Sequence, residues 1–243
     1  MLEIIYQDEY LVAINKPAGL LVHRSPIDRH ETRFALQMLR DQIGQHVFPV
    51  HRLDKPTSGV LVFALSSAIA RTLSDSFASQ QVEKTYWAIV RGYAPSEGEI
   101  DHPIRDKPDK LADRDKSANN PAREAITDFL RLATMELPVH VDRYPNSRYS
   151  LLQVKPRSGR KHQIRRHLKH IGHPIIGDAK HGKGVHNRFF QQHFDCARLL
   201  LACTQLQLEH PLSGQTLILR AELDASFTKV LAAFGYPQLL IVN

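Results

Sequence analysis

One carboxylate stands among cations in the run His51–Gly59, HRLDKPTSG. Arg52 and Lys55 flank Asp54, Pro56 stiffens the segment, and Gly59 permits backbone angles closed to other residues. Neighbouring positive charge favours the ionised form of an aspartate. An ionised carboxylate suits a nucleophile better than a general acid. Asp also commonly organises turns, and the spacing alone leaves both readings open.

A second run, Lys155–Lys169 (KPRSGRKHQIRRHLK), is strongly basic. From Lys155 to His173 there are seven Lys or Arg and no acid, which equals the net charge of +7, so the rest of the chain sums to zero. A neutral body carrying one basic element points to a polyanion contacted at a defined place, nucleic acid foremost. Ser158–Gly159 reads as a loop and a helix is expected from about Arg160 to Ile171. At roughly 100° per residue, Ile164, Leu168 and Ile171 share one face. Arg165 falls at the edge of that face, free either to turn into a cleft or to pack its stem on the core, whereas Arg166 and Lys169 point away toward phosphates. His162, His167, His170 and His173 cluster here, but among cations and without a carboxylate, so phosphate and base contacts fit them better than a metal.

These residues need elements to hold them. Glu3–Tyr6 and Leu11–Asn15 read as strands, with a helix after Thr32. Val47–Leu53 reads as a strand leading into the Asp54 loop, Val60–Leu65 as a second, and Ser66 as the cap of a helix to about Ser79. Along Lys84–Arg91, Tyr86, Ala88 and Val90 should face one way and Trp87 and Ile89 the other. Asp101–Asn120 is polar and reads as an exposed connection. Strands follow near Ala125–Leu132 and Tyr149–Lys155; Gly172 and Pro174 end the basic helix. The loop Gly177–Gly184 opens no convincing helix. Leu199–Glu209 and Thr216–Ala221 form a hairpin, and a last helix starts near Asp224. The expected class is mixed α/β, with a large, mainly antiparallel central sheet flanked by helices and loops, in two lobes with a cleft between.

Other chemistries find no support. No apolar run suits a membrane span, and the start, MLEIIYQDEY, lacks the basic and apolar parts of a secretory signal. Cys196 and Cys203 make no metal-ligand spacing and read as core residues of a reducing compartment. Neither a phosphate-cradling glycine loop nor a nucleophile elbow occurs. A soluble, cytoplasmic monomer without metal is expected.

HRLDKPTSG resembles the signature loop of the A-type RNA pseudouridine synthases, the family that modifies ribosomal and transfer RNA. Four further segments fit the same family in the same order: NKPAGLLVH (Asn15–His23), KTYWAIVRG (Lys84–Gly92), GRKHQIRRHL (Gly159–Leu168) and GHPIIGD (Gly172–Asp178). The resemblance implies a single catalytic domain over residues 1–243 without an added N-terminal RNA-binding module. It implies isomerisation of uridine to pseudouridine with no cofactor, since nothing is oxidised and no group is transferred. Asp54 matches the family's catalytic aspartate, Tyr86 the tyrosine that stacks on the target base, and Arg165 the arginine that pairs with the aspartate. Arg160, Lys161, Arg166 and Lys169 are then expected on RNA phosphates, with Arg52, Lys155, His162 and Gln163 completing the RNA contacts. VHRSPIDRHET and RYPNSRY are most similar to members that act on tRNA at uridine 65 of the T-stem. His181 and Ala202 depart from common family residues, tyrosine and histidine respectively.

Overall fold

The computed structural model describes residues 1–24, 30–105, 121–233 and 235. In chain order it runs β1 (Glu3–Gln7), β2 (Leu11–Lys16), α1 (Ala35–Ile43), β3 (Phe48–Pro49), β4 (Ser58–Ala64), α2 (Ser67–Ala78), β5 (Glu83–Arg91) and β6 (Glu97–Asp101). Then follow β7 (Ile126–Leu137), β8 (Ser147–Pro156), α3 (Gln163–His170), α4 (Gly184–Phe194), β9 (Leu201–Glu209), β10 (Thr216–Arg220) and α5 (Ala225–Ala233). Among the described residues no helix is long and apolar enough to cross a membrane.

The strands form one ten-stranded sheet in the order β1-β2-β4-β9-β5-β8-β7-β6, with β3 on β4 and β10 on β9. Every pairing is antiparallel except β4 with β9, whose register is short: Ser58 opposite Ala202 and Gly59 opposite Cys203. Two antiparallel blocks therefore meet at a narrow parallel seam. Gly59 makes the seam possible. Its φ is +109°, and a Cβ there would stand 2.0 Å from the carbonyl oxygen of Cys203.

The alternation expected along β5 is present. Tyr86, Ala88 and Val90 belong to a large apolar cluster that includes Val60, Leu152 and Ile164. Trp87 and Ile89 join the other cluster, with Tyr149, Phe190 and Phe227. The sheet is thus apolar on both faces along its central strands, as burial beneath helices requires.

Three expectations need correction. Val47–Leu53 pairs only at Phe48–Pro49. Pro49 has no N–H to extend the ladder, and the Val62 N–H donates to His51 Nε2 at 3.0 Å instead of to a strand. The glycine-rich loop does lead into a helix, α4, which buries His186, Phe190 and Phe194. The basic helix is shorter than expected: Gly159–His162 turns before it, and His162 lies in the left-handed region at φ 57°. Of the polar connection Asp101–Asn120, residues 106–120 lie outside the described residues; before them Asp101 ends β6, an edge strand the polar sequence EGEID does not announce.

Candidate active site

The loop bearing Asp54 is pinned from below. Leu53 is buried, the Thr57 N–H donates to the carbonyl of Asp54 at 3.0 Å, and the Gly19 N–H donates to that of Lys55 at 2.8 Å. Lys16, fully buried, sends Nζ to the carbonyls of Pro17 (2.9 Å), Leu20 (2.8 Å) and Lys55 (3.3 Å). Burial and the charge of Arg198 push its pKa down to about 7, while Asp54 pulls the other way. This lysine ties the Asn15–His23 segment to the loop of Asp54. Its role is invisible in spacing, because a cation is not expected in the core.

Arg165 reaches the same loop from α3. Ile164 and Leu168 are buried against the sheet, and Arg165 is carried inward beside them with 5% of its surface exposed. Its Nη1 donates to Oδ2 of Asp54 at 3.0 Å. Its Nε and Nη2 donate to the two carboxylate oxygens of Asp178, both at 2.8 Å. Burial opposes the charge of Arg165, but the two carboxylates more than offset it and raise its pKa. Asp178 is held down likewise: burial raises its pKa, and Arg165 with the N–H groups of His181 and Lys180 outweighs that. The acid ending GHPIIGD has no task legible in the sequence; bidentate pairing with Arg165 is that task.

A cleft of about 500 Å³ opens over this set, lined by Asp54, Tyr86, Arg165, Lys84, His162 and Thr57 among others. Tyr86 is 9% exposed. Burial, then Cys203 and Asp54, raise its pKa, so its hydroxyl stays protonated at neutral pH. His162 Nε2 lies 3.8 Å from Oδ2 of Asp54, and its Nδ1 is 2.9 Å from Nε2 of His181. Burial presses the pKa of His162 down to about 4. Among the described residues no cluster of three or more His, Cys, Asp or Glu is arranged to hold a metal ion.

The expected RNA contacts divide. Arg52, Arg160 and Lys161 line the cleft, whereas Lys155 and Lys169 are exposed outside its walls. Arg166 donates to the carbonyl of Arg105 at 3.0 Å. Gln163 is a correction: it is 4% exposed, and its amide serves Ser158, the Arg160 N–H, Ile126 and Thr127. It locks the turn before α3 and has no hydrogen-bonding group left for RNA. His167 is likewise internal, held by Thr127 and the carbonyl of His102. His173 is tied to the carbonyl of Arg91.

The model of the RNA pseudouridylate synthase family matches residues 10–170, which carry the Asp54 loop, Tyr86 and Arg165. The chain belongs to that family. It is an enzyme of the isomerase class. Among its relatives, tRNA pseudouridine synthase C of Vibrio cholerae is 52% identical over 243 residues, all of both chains. Among solved structures, human RNA pseudouridylate synthase domain containing 4 shares 27% identity with a TM-score of 0.69, covering 96% of this chain and 93% of that one. Human RNA pseudouridylate synthase domain containing 1 gives 25% and 0.70, covering 93% and 87%. Family membership accounts for the fold.

Proposed function

We propose that this enzyme converts a uridine of tRNA to pseudouridine, at position 65 of the T-stem, with Asp54 as nucleophile. The observation that carries the reading is a carboxylate held by a buried guanidinium at the base of an open cleft. The relatives' name supplies tRNA as the substrate class.

The chemistry follows from the groups present. A base inside a duplex cannot reach Asp54, so the target nucleotide is flipped out, at a cost of a few kcal/mol. Stacking on the ring of Tyr86 returns roughly 1–3 kcal/mol of this. The C1′–N1 bond then breaks with its electron pair passing to the uracil ring, while the Asp54 carboxylate bonds to C1′ or balances the charge there. The ring turns, C5 bonds to C1′ as any Asp54–C1′ bond breaks and returns its electron pair to the carboxylate, the proton on C5 passes to solvent, and N1 takes up a proton from solvent. Atoms and charge balance, and the product is an isomer. Tyr86, held protonated by burial, serves as platform rather than as a phenolate base. Arg165 fixes Asp54 and keeps a positive charge beside it.

Asp54→Asn and Asp54→Ala should release no tritium from tRNA labelled at uridine C5, while their affinity for tRNA stays within a few-fold of the parent. A wild-type protein that forms no pseudouridine in tRNA, or an Asp54→Asn protein with full turnover, overturns the reading.

A further inference from the structure

Two nitrogens converge on one oxygen of Asp54. Arg165 Nη1 bonds Oδ2 at 3.0 Å, and His162 Nε2 stands 3.8 Å from that same atom. Among the described residues nothing bonds Oδ1. The His162 ring is therefore poised to matter, and which of its nitrogens carries the proton decides how.

That choice is coupled to His181. Its Nε2 is 2.9 Å from Nδ1 of His162, with the rings nearly perpendicular, so one nitrogen donates and the other accepts. The charged groups around His162 are Asp54, Arg165 and Lys180, and those around His181 are Asp178, Arg165, Lys169 and Lys180. Burial first, and then these cations, keep both rings neutral. Two arrangements remain. If His162 Nδ1 donates, its Nε2 lone pair faces the Asp54 carboxylate, an unfavourable meeting of two acceptors. If His181 Nε2 donates, His162 carries its proton on Nε2 and presents an N–H toward Oδ2. The carboxylate selects the second arrangement. The left-handed backbone of His162, at φ 57°, is uncommon for a residue other than glycine and holds the ring in this place.

We propose that His181 fixes His162 as the Nε2-protonated tautomer, and that His162 and Arg165 together hold Oδ2 of Asp54, leaving Oδ1 as the oxygen that meets the ribose C1′. His162 and His181 are then positioning residues, acting through Asp54. The role in turnover rests on the function proposed above; the tautomer does not.

The test begins with the wild-type protein without RNA. In a long-range 1H–15N spectrum of histidine-labelled protein at neutral pH, the Nε2 of both His162 and His181 should show the shift of a protonated ring nitrogen and both Nδ1 that of an unprotonated one. A proton on His162 Nδ1 overturns the inference whatever the enzyme's substrate. Single-turnover assays on tRNA then read the consequence. His181→Phe, which cannot donate, should slow the chemical step about tenfold, with tRNA affinity unchanged. His181→Gln, whose amide can donate from nearly the same point, should recover most of that loss. A His181→Phe enzyme with the parent's rate, or a His181→Gln enzyme as slow as His181→Phe, overturns the positioning role. An inactive wild-type protein with the expected tautomer overturns the proposed function and spares the tautomer.

Discussion

Arg165 serves two carboxylates with one guanidinium, and the division of labour between them is unequal. Asp178 has no exposed side-chain surface and takes two of the three bonds; Asp54 takes one and keeps 19% of its side chain in the cleft. Asp178 is thus the anchor that stops Arg165 from closing fully over Asp54. Asp178→Asn should lower turnover while tRNA binding persists, because an amide cannot accept both guanidinium N–H bonds and Arg165 is freed to cover the other acid. It should also destabilise the fold by about 3 kcal/mol, since one partner of a buried pair is left uncompensated. Thermal melts against pH supply the sign. The pKa of Asp178 lies below the ordinary 3.8 in the folded state. Its stabilisation is complete above that value and is lost as pH falls through the lower, folded one. The difference between parent and variant should therefore shrink only in strong acid. Asp54 and Arg165 are legible in sequence because each stands in a dense motif. Asp178 is not, because its partner is 13 residues away across a helix end and a turn, a distance set only by the fold.

At the scale of elements, what can be read is what repeats. β5 shows its two faces in the sequence because both are apolar and alternate cleanly, and α2 shows its start in Ser66, whose Oγ accepts the Ile69 N–H at 3.3 Å. α4 stays hidden for the converse reason: no side chain caps it, it follows glycines, and His186 and Asn187 dilute its apolar stripe. The parallel seam of β4 and β9 cannot be read either, since pairing across some 140 residues leaves no local trace; only Gly59 hints at it. That hint is testable. Gly59→Ala drives a methyl group into the carbonyl of Cys203 and should cost about 4 kcal/mol or more, seen as a large fall in Tm or in soluble yield. Gly214→Ala is the control: φ is also positive, +69°, but nothing lies within 4 Å of the added Cβ. Its cost should be the backbone term alone, about 1 kcal/mol.

For the molecule as a whole, net charge overstates the surface offered to RNA. The seven cations between Lys155 and His173 sum to the full excess of +7, yet the fold spends some of them on itself. Arg165 is buried between two acids, and Arg157 pairs with Glu99 and Asp128. Among the described residues, Arg52, Lys155, Arg160 and Lys169 make no ion pair, and Arg52 and Arg160 stand at the cleft itself. Each phosphate neutralised releases counterions, and the slope of log affinity against log salt counts them at about 0.7–0.9 apiece. Four such contacts give a slope near −3, about half of what the basic segment's seven charges would give. Lys169→Ala should flatten the slope by about one, whereas Arg157→Ala, which removes a cation already neutralised, should leave it unchanged. Fluorescence titrations of tRNA over a range of salt concentrations decide between the two counts. A slope near −6, or an equal effect of the two substitutions, would mean that the internal ion pairs open when RNA arrives and that the charge of the whole segment is available after all.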